Sequence, residues 1–392
     1  MLTLSKPFTY ATALKCSNCE KEFSLSKTNT FADCCHQPLV VNYDLSIGLS
    51  KTNLENRQNN MWRYQEMLPV VKEKNIVSLG EGMTPIFSLN KLADKFGFSD
   101  LFMKDESFNP TGSFKARGIS VAVSKAKEFR IENCIIPTAG NAGGALAAYC
   151  AKAGISCTVV MPRHTPTVFK QECELYGAKL ILVDGLINDC AKKIGELNHD
   201  NNYFDVSTLK EPYRLEGKKT MGYEIAEFYN WNLPDVIIYP AGGGTGLIGI
   251  WKAFKEMQAM GWINCPLPKM IAVQSKNCAP LLHAFKDPVN WKKDFIPKAT
   301  IANGLAVPYP FGMDMMLKVL NESEGTVVAV DEEEIVSGVK EIARTEGLLI
   351  SPEGAATWKA LLNLKSNKQI ALTEKILLLN TGSGYKYLEN LN

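Results

Sequence analysis

The chain is expected to fold as an α/β protein whose parallel sheets are covered by helices. Short apolar runs alternate with helical stretches from about residue 100 to the C-terminus, the pattern of strand–helix–strand units. Several runs are continuously apolar, as strands are when both faces are buried. A third observation concerns position. The motifs richest in glycine and small polar residues fall where a strand gives way to a helix, which is where open parallel sheets bind ligands.

The length of 392 residues suits two or three packed domains of roughly 100–200 residues. A formal net charge of +2 gives no reason to expect nucleic acid or an anionic membrane as partner, so any basic site must be local. No uncharged apolar stretch reaches the roughly 18 residues of a membrane span. The nearest, residues 236–251, is broken by Pro240 and a glycine cluster. The N-terminus lacks the apolar core of a signal peptide, so a cytoplasmic protein is expected.

In chain order, residues 1–45 form a polar, turn-rich, cysteine-bearing segment, and 46–100 are helical in pattern, interrupted by the turn cluster Leu79-Gly80-Glu81-Gly82-Met83-Thr84-Pro85. Strands are expected at 101–104, 134–137, 157–161 and 179–183, with helices at 118–129, 142–153 and 166–176 between them. A further strand spans 203–206. Residues 236–239 form a strand running into a helix near Thr245. Strands at 271–273 and 376–379 and helices at 332–346 and 355–362 complete the pattern.

Asn109-Pro110-Thr111-Gly112-Ser113-Phe114-Lys115-Ala116-Arg117-Gly118 follows the first of these strands. Ser113 is a good N-cap, which puts Lys115 in the first helical turn. There the helix dipole and Arg117 disfavour a second cation, and a neutral amine is the form that attacks an aldehyde. Pro137-Thr138-Ala139-Gly140-Asn141-Ala142-Gly143-Gly144 lets backbone approach a flat ligand closely. Residues 241–249 (AGGGTGLIG) follow a buried strand and open a helix, an arrangement suited to a phosphate dianion. The same letters fit a dinucleotide fingerprint at Gly244, Gly246 and Gly249. That reading needs an acid at the end of the next strand, and Gln274 stands there. Thr381, or Ser383 beside it, offers a hydroxyl after the last strand. Arg214 lies in a cationic stretch with Lys218 and Lys219, and its fork suits a phosphate.

The lysine stretch resembles the motif of fold-type II pyridoxal-phosphate enzymes and is most similar to that of threonine synthases, with Ala116 where an aspartate usually stands. The resemblance implies two open parallel-sheet αβα domains of the tryptophan synthase β kind: a large one from 46–97 and 221–392, and a small one, 98–220, carrying the Schiff-base lysine. It implies pyridoxal 5'-phosphate as cofactor. Lys115 would carry it, Asn141 its phenolic oxygen, Gly242, Gly243, Gly244, Thr245 and Gly246 its phosphate, and Thr381 its pyridine nitrogen. It assigns Thr111, Ser113, Arg214 and Lys219 to the substrate, here O-phospho-L-homoserine, which water converts to L-threonine and phosphate in a homodimeric enzyme. The chain keeps the family's Pro-x-Arg-x-x-Gly at 212–217 but has Ser207-Thr208-Leu209-Lys210-Glu211 where relatives carry Asn-Ser-x-Asn. Rival readings are a serine or threonine dehydratase, a phosphoserine-using cysteate synthase, an NAD-linked oxidoreductase and a non-catalytic binding protein.

Four of the eleven cysteines lie in the first 35 residues. Cys16-x-x-Cys19 followed by Cys34-Cys35-His36 resembles a small zinc ribbon, with Cys35 or His36 as fourth ligand, or a relic of one without metal.

Overall fold

The computed structural model describes residues 7–200, 202–293 and 295–391; the first six residues of the cysteine-bearing segment lie outside it. That segment forms a three-stranded antiparallel sheet of β1 (Ala11–Cys16), β2 (Glu22–Phe23) and β3 (Leu39–Tyr43), in the order β2-β1-β3. It packs into the main body through Leu14, Leu39 and Val41.

Beyond it come β4 (Ile86–Ser88), α1 (Asn90–Phe96), β5 (Asp100–Asp105), α2 (Lys115–Glu128), β6 (Asn133–Pro137), α3 (Asn141–Ala153), β7 (Ser156–Pro162), α4 (Thr167–Leu175), β8 (Lys179–Val183), α5 (Ile187–Leu197) and β9 (Phe204–Asp205). The chain continues through α6 (Tyr213–Phe228), β10 (Val236–Pro240), α7 (Thr245–Ala259), β11 (Lys269–Ser275), α8 (Pro280–Lys286), α9 (Met313–Glu322), β12 (Thr326–Val330), α10 (Glu332–Glu346), α11 (Pro352–Ser366) and β13 (Lys375–Asn380).

Two sheets result. One is six-stranded, in the order β12-β11-β10-β13-β5-β4, and parallel except for the edge strand β4. The other is four-stranded, β8-β7-β6-β9, and wholly parallel. The expected α/β class with two parallel sheets is therefore observed. β10 is buried at every position, which explains its uninterrupted apolar sequence.

Two expectations need correction. Residues 46–78 are not α-helical: four short 3-10 turns stand there, and among the described residues α1 is the one α-helix before β5. Asp44, Ser50 and Asn60 each cap a turn by accepting the N–H two residues on, a local bond that competes with helix propagation. The strand β5, inside the range expected for the small domain, pairs with β13 in the large sheet, from Asp100 against Lys375 to Asp105 against Asn380. Alternation shows that a strand exists; it does not say which sheet the strand joins.

The helix α6 lies at the centre and is buried from Tyr213 to Ala226. It crosses α2 where two glycines meet. A Cβ on Gly217 would stand 2.0 Å from the Arg117 carbonyl oxygen, and one on Gly118 would stand 2.6 Å from that of Arg214. Backbones this close bring the start of α2 beside the start of α6, and with it Lys115 beside Arg214 and Lys218.

Candidate active site

Lys115 reaches a cavity of about 230 Å³ lined by the C-terminal ends of β6, from the four-stranded sheet, and β10, from the six-stranded one. Its loop is held from both sides. Gly112, at φ 64, closes a turn onto the Asn109 carbonyl. The N–H of Phe114 then bonds the Thr381 carbonyl at 3.1 Å, and that of Ser383 the Gly112 carbonyl at 2.9 Å. Ser113 does not cap α2 as expected. Its backbone pairs with Gly382 instead, and Phe114 occupies the cap position without a side-chain bond. Among the described residues, Lys115 Nζ has no hydrogen bond or ion pair; it lies 3.9 Å from the centre of the Phe114 ring. Burial, reinforced by Arg214 and opposed by Glu353, lowers its pKa to about 7. Arg117, expected to be the depressing charge, is instead consumed in a buried cluster with Glu106 and Glu224.

Gly242, Gly243, Gly244 and Thr245 line the same cavity at the N-terminus of α7. Side chains are excluded there: a Cβ on Gly242 would lie 2.1 Å from the Gly304 oxygen, and Gly244 sits at φ 78. Gly246 does not line the cavity. Its missing Cβ makes room for the Tyr239 hydroxyl, 1.8 Å from where that carbon would be. Gly249, the last letter of the dinucleotide pattern, packs against the backbone of α6. Asn141 and Thr381 also line the cavity, whereas the Ser383 hydroxyl caps a short 3-10 turn.

The cations sort by helical phase. Arg214 and Lys218 are four residues apart on one face of α6, and both line the cavity. Arg214 Nη1 donates to the Val206 carbonyl at 2.7 Å. Lys218 Nζ donates to the Thr245 hydroxyl at 2.5 Å and lies 4.9 Å from the Phe114 ring centre. Burial, Arg214 and Lys115 drive the Lys218 pKa well below its ordinary value. Lys219, expected at the substrate, is a hundred degrees further round the helix. It is bound to Glu216 at 2.7 Å and Glu256 at 3.0 Å, away from the cavity. Thr111 and Ser113 belong to the lysine loop but do not line the cavity. Lys218 could have been chosen over Lys219 by stepping one helical turn from Arg214.

Glu353 has no role assigned from the sequence and proves central to the geometry. Ser351 caps α11 with Pro352 in its first turn. This presents Glu353 to the cavity, where Oε1 accepts from the Gly304 N–H at 2.7 Å and the Tyr387 hydroxyl at 2.8 Å. Five buried polar atoms of cavity-lining residues have no partner among the described residues: Asn141 Oδ1, Arg214 Nε, Tyr239 Oη, Asn303 Nδ2 and Glu353 Oε2. Buried polar groups are nearly always satisfied, so this concentration marks a place built for a polar ligand. The donors fit pyridoxal phosphate: a backbone cradle for its phosphate, an amide and a hydroxyl for its ring, and a primary amine for its aldehyde.

Fold and cavity together define an enzyme that works through a pyridoxal cofactor. The chain belongs to the pyridoxal-phosphate-dependent enzyme family, whose profile matches residues 77–382. Among curated proteins it is 35% identical to a threonine synthase of Methanocaldococcus jannaschii, covering 95% of this chain and 92% of that one. It is 33% identical to the threonine synthase of Methanosarcina acetivorans, covering 94% and 91%. Against that of Mycobacterium tuberculosis the identity is 31%, over 82% and 87%. Among solved structures, maize serine racemase superposes with a TM-score of 0.65 at 23% identity, over 78% of this chain and 92% of that one. A pyridoxal 5'-phosphate-dependent aspartate racemase gives 0.66 at 20%, over 79% and 92%. These last two show the shared fold.

Proposed function

We propose that the chain is a threonine synthase, converting O-phospho-L-homoserine and water to L-threonine and phosphate. The observation that carries this reading is Arg214, held at Val206 on α6 inside a cavity that already has a phosphate cradle at α7, with Lys218 on the same face bridging to that cradle at Thr245. Two anion receptors in one cavity suit a phosphorylated substrate beside a phosphorylated cofactor. The relatives' names support the same reading.

Pyridoxal phosphate, when bound, supplies the electron sink that makes the protons at Cα and Cβ removable. The chain's own residues do the rest. Lys115 would hold the cofactor and is the base at Cα and the proton carrier between Cβ and Cγ; a pKa of about 7 suits both directions of transfer. The N–H groups at 242–245 and the start of α7 bind the cofactor phosphate. Asn141 and Thr381 orient the ring; a neutral hydroxyl at the ring nitrogen suits elimination and replacement. Arg214 grips the substrate phosphate and stabilises it as it leaves from Cγ, and Lys218, bonded to Thr245 at the cradle, is a hydrogen-bond donor between the two phosphates. A proton carried by Lys115 makes Cγ the methyl carbon, water then adds at Cβ and gives its spare proton to the departing phosphate, and Cα takes back a proton.

The same reading makes the enzyme a cytoplasmic homodimer acting on small molecules, without nucleic-acid or membrane partners. Among the described residues no helix is long and apolar enough to cross a membrane.

The test is phosphate release from O-phosphohomoserine, run beside O-phosphoserine and free threonine. Turnover of phosphohomoserine alone is expected. Arg214→Ala should lower kcat/KM for it by about 30-fold or more, the effect of removing one partner of a buried charged contact. Faster turnover of phosphoserine would make the chain a phosphoserine-using synthase. Turnover of unphosphorylated threonine, indifferent to Arg214→Ala, would make it a dehydratase.

A further inference from the structure

The cysteines near the N-terminus play no part in the cavity. The Sγ atoms of Cys16, Cys19, Cys34 and Cys35 all lie within 4.8 Å of one another, and all four are free thiols. We propose that these four thiolates hold one tetrahedral zinc ion, and that this ion fixes the segment carrying Phe31 against the rim of the active-site cavity.

The geometry is that of a ligand cage. Sulfurs about 2.3 Å from zinc form a tetrahedron with edges of about 3.8 Å, and Cys19 Sγ stands 3.5 Å from Cys34 Sγ. An all-sulfur tetrahedral set selects zinc or iron among available metals, and zinc is the ion of structural ribbons. Cys16 ends β1, and the tight turn to Cys19 closes with the Glu20 N–H on the Cys16 carbonyl at 3.1 Å. Asn18 Nδ2 donates toward Cys35 Sγ at 3.5 Å, the outer-shell bond that steadies a bound thiolate. The structure also chooses between the two candidates for fourth ligand. At His36 the backbone turns to φ 52, and the imidazole packs on Phe31, ring centres 5.9 Å apart, leaving Cys35 in the cage.

The link to the cavity is equally direct. Between Cys19 and Cys34 the regular structure is the two-residue strand β2, followed by the single bridge Ala32–Gln37. Phe31, in this stretch, meets Phe311 edge-on with ring centres 5.9 Å apart. Phe311, with Tyr309 and Pro310, lines the active-site cavity. Gln37 Nε2 reaches Asp314 Oδ2 at 3.5 Å. An ion tying both ends of the stretch would hold Phe31 in place and, through it, the rim.

The test uses the full-length enzyme loaded with pyridoxal phosphate. Elemental analysis should find about one zinc per chain, lost in Cys19→Ser. Hydrogen exchange should then speed up both at 20–37 and at 309–314, while Phe31→Ala should speed exchange at 309–314 with zinc content unchanged. None of these readouts depends on which amino acid the enzyme consumes. Absence of stoichiometric zinc, with iron present instead or with the four cysteines recovered as disulfides, would overturn the site. Zinc present, but with exchange at 309–314 unmoved by its loss, would overturn the link to the rim.

Discussion

At the scale of single residues, the site is a contest between burial and charge. Lys115 has burial and a neighbouring guanidinium against it, with Glu353 alone opposing them, and the balance brings its pKa to about 7. The neutral, reactive fraction therefore grows as pH rises through 7. The rate of cofactor capture by the apoenzyme should fall about tenfold per unit once pH is well below that value, which stopped-flow absorbance would show. Lys115→Ala should lose roughly 10³-fold or more of turnover. Lys218 and Lys219 make a paired comparison. Lys218→Met should weaken binding of inorganic phosphate to the holoenzyme, read by titration calorimetry, with the melting temperature near wild type. Lys219→Met leaves Glu216 and Glu256 sharing one cation, Lys252, and should cost about 3 kcal/mol of stability in denaturant melts. These two lysines also show what a motif conveys. The motif located the cationic stretch, but adjacent letters point a hundred degrees apart on a helix, so membership of the stretch did not decide which lysine faced the ligand. Glu353 was harder to see, because its helix start has the same letters whether or not a cavity lies in front of it.

Among the elements, the crossing of α2 and α6 carries the most consequence. Gly118 and Gly217 let the backbones touch, and this contact sets the spacing between the lysine and the phosphate receptor. Gly217→Ala should force the helices apart, costing about 1–3 kcal/mol or more of stability and lowering turnover more than cofactor binding, since cradle and ring contacts lie on other elements. A thermal melt and a kcat measurement on the same sample separate the two effects. The strands β6, β7, β10, β11 and β13 were legible in the sequence because burial on both faces leaves apolar runs, whereas the half-exposed β12 and the helices α5, α8 and α9 were not. Residues 46–78 were not: their apolar residues recur at helical spacing, but local caps at Asp44, Ser50 and Asn60 divide the backbone into short turns. The start of α2 was misjudged for a related reason. Ser113 has capping chemistry, and a backbone bridge to Gly382, remote in sequence, claims it first.

For the whole molecule, function follows from placing two sheets so that their strand ends share one cavity. The lysine loop leaves β5 in the six-stranded sheet, the Asn141 loop leaves β6 in the four-stranded sheet, and the phosphate cradle leaves β10 in the first again. That interleaving could not be read from alternation alone, because a strand's letters do not name its sheet; the displaced β5 shows as much. The account depends on this convergence producing one privileged amine among the chain's lysines. The most direct measurement is to load the protein with pyridoxal phosphate, reduce with borohydride, digest, and locate the pyridoxyl group by mass spectrometry. A single modified peptide containing Lys115 is the expected result. Label spread over exposed lysines, with Lys115 unmodified, would contradict the account.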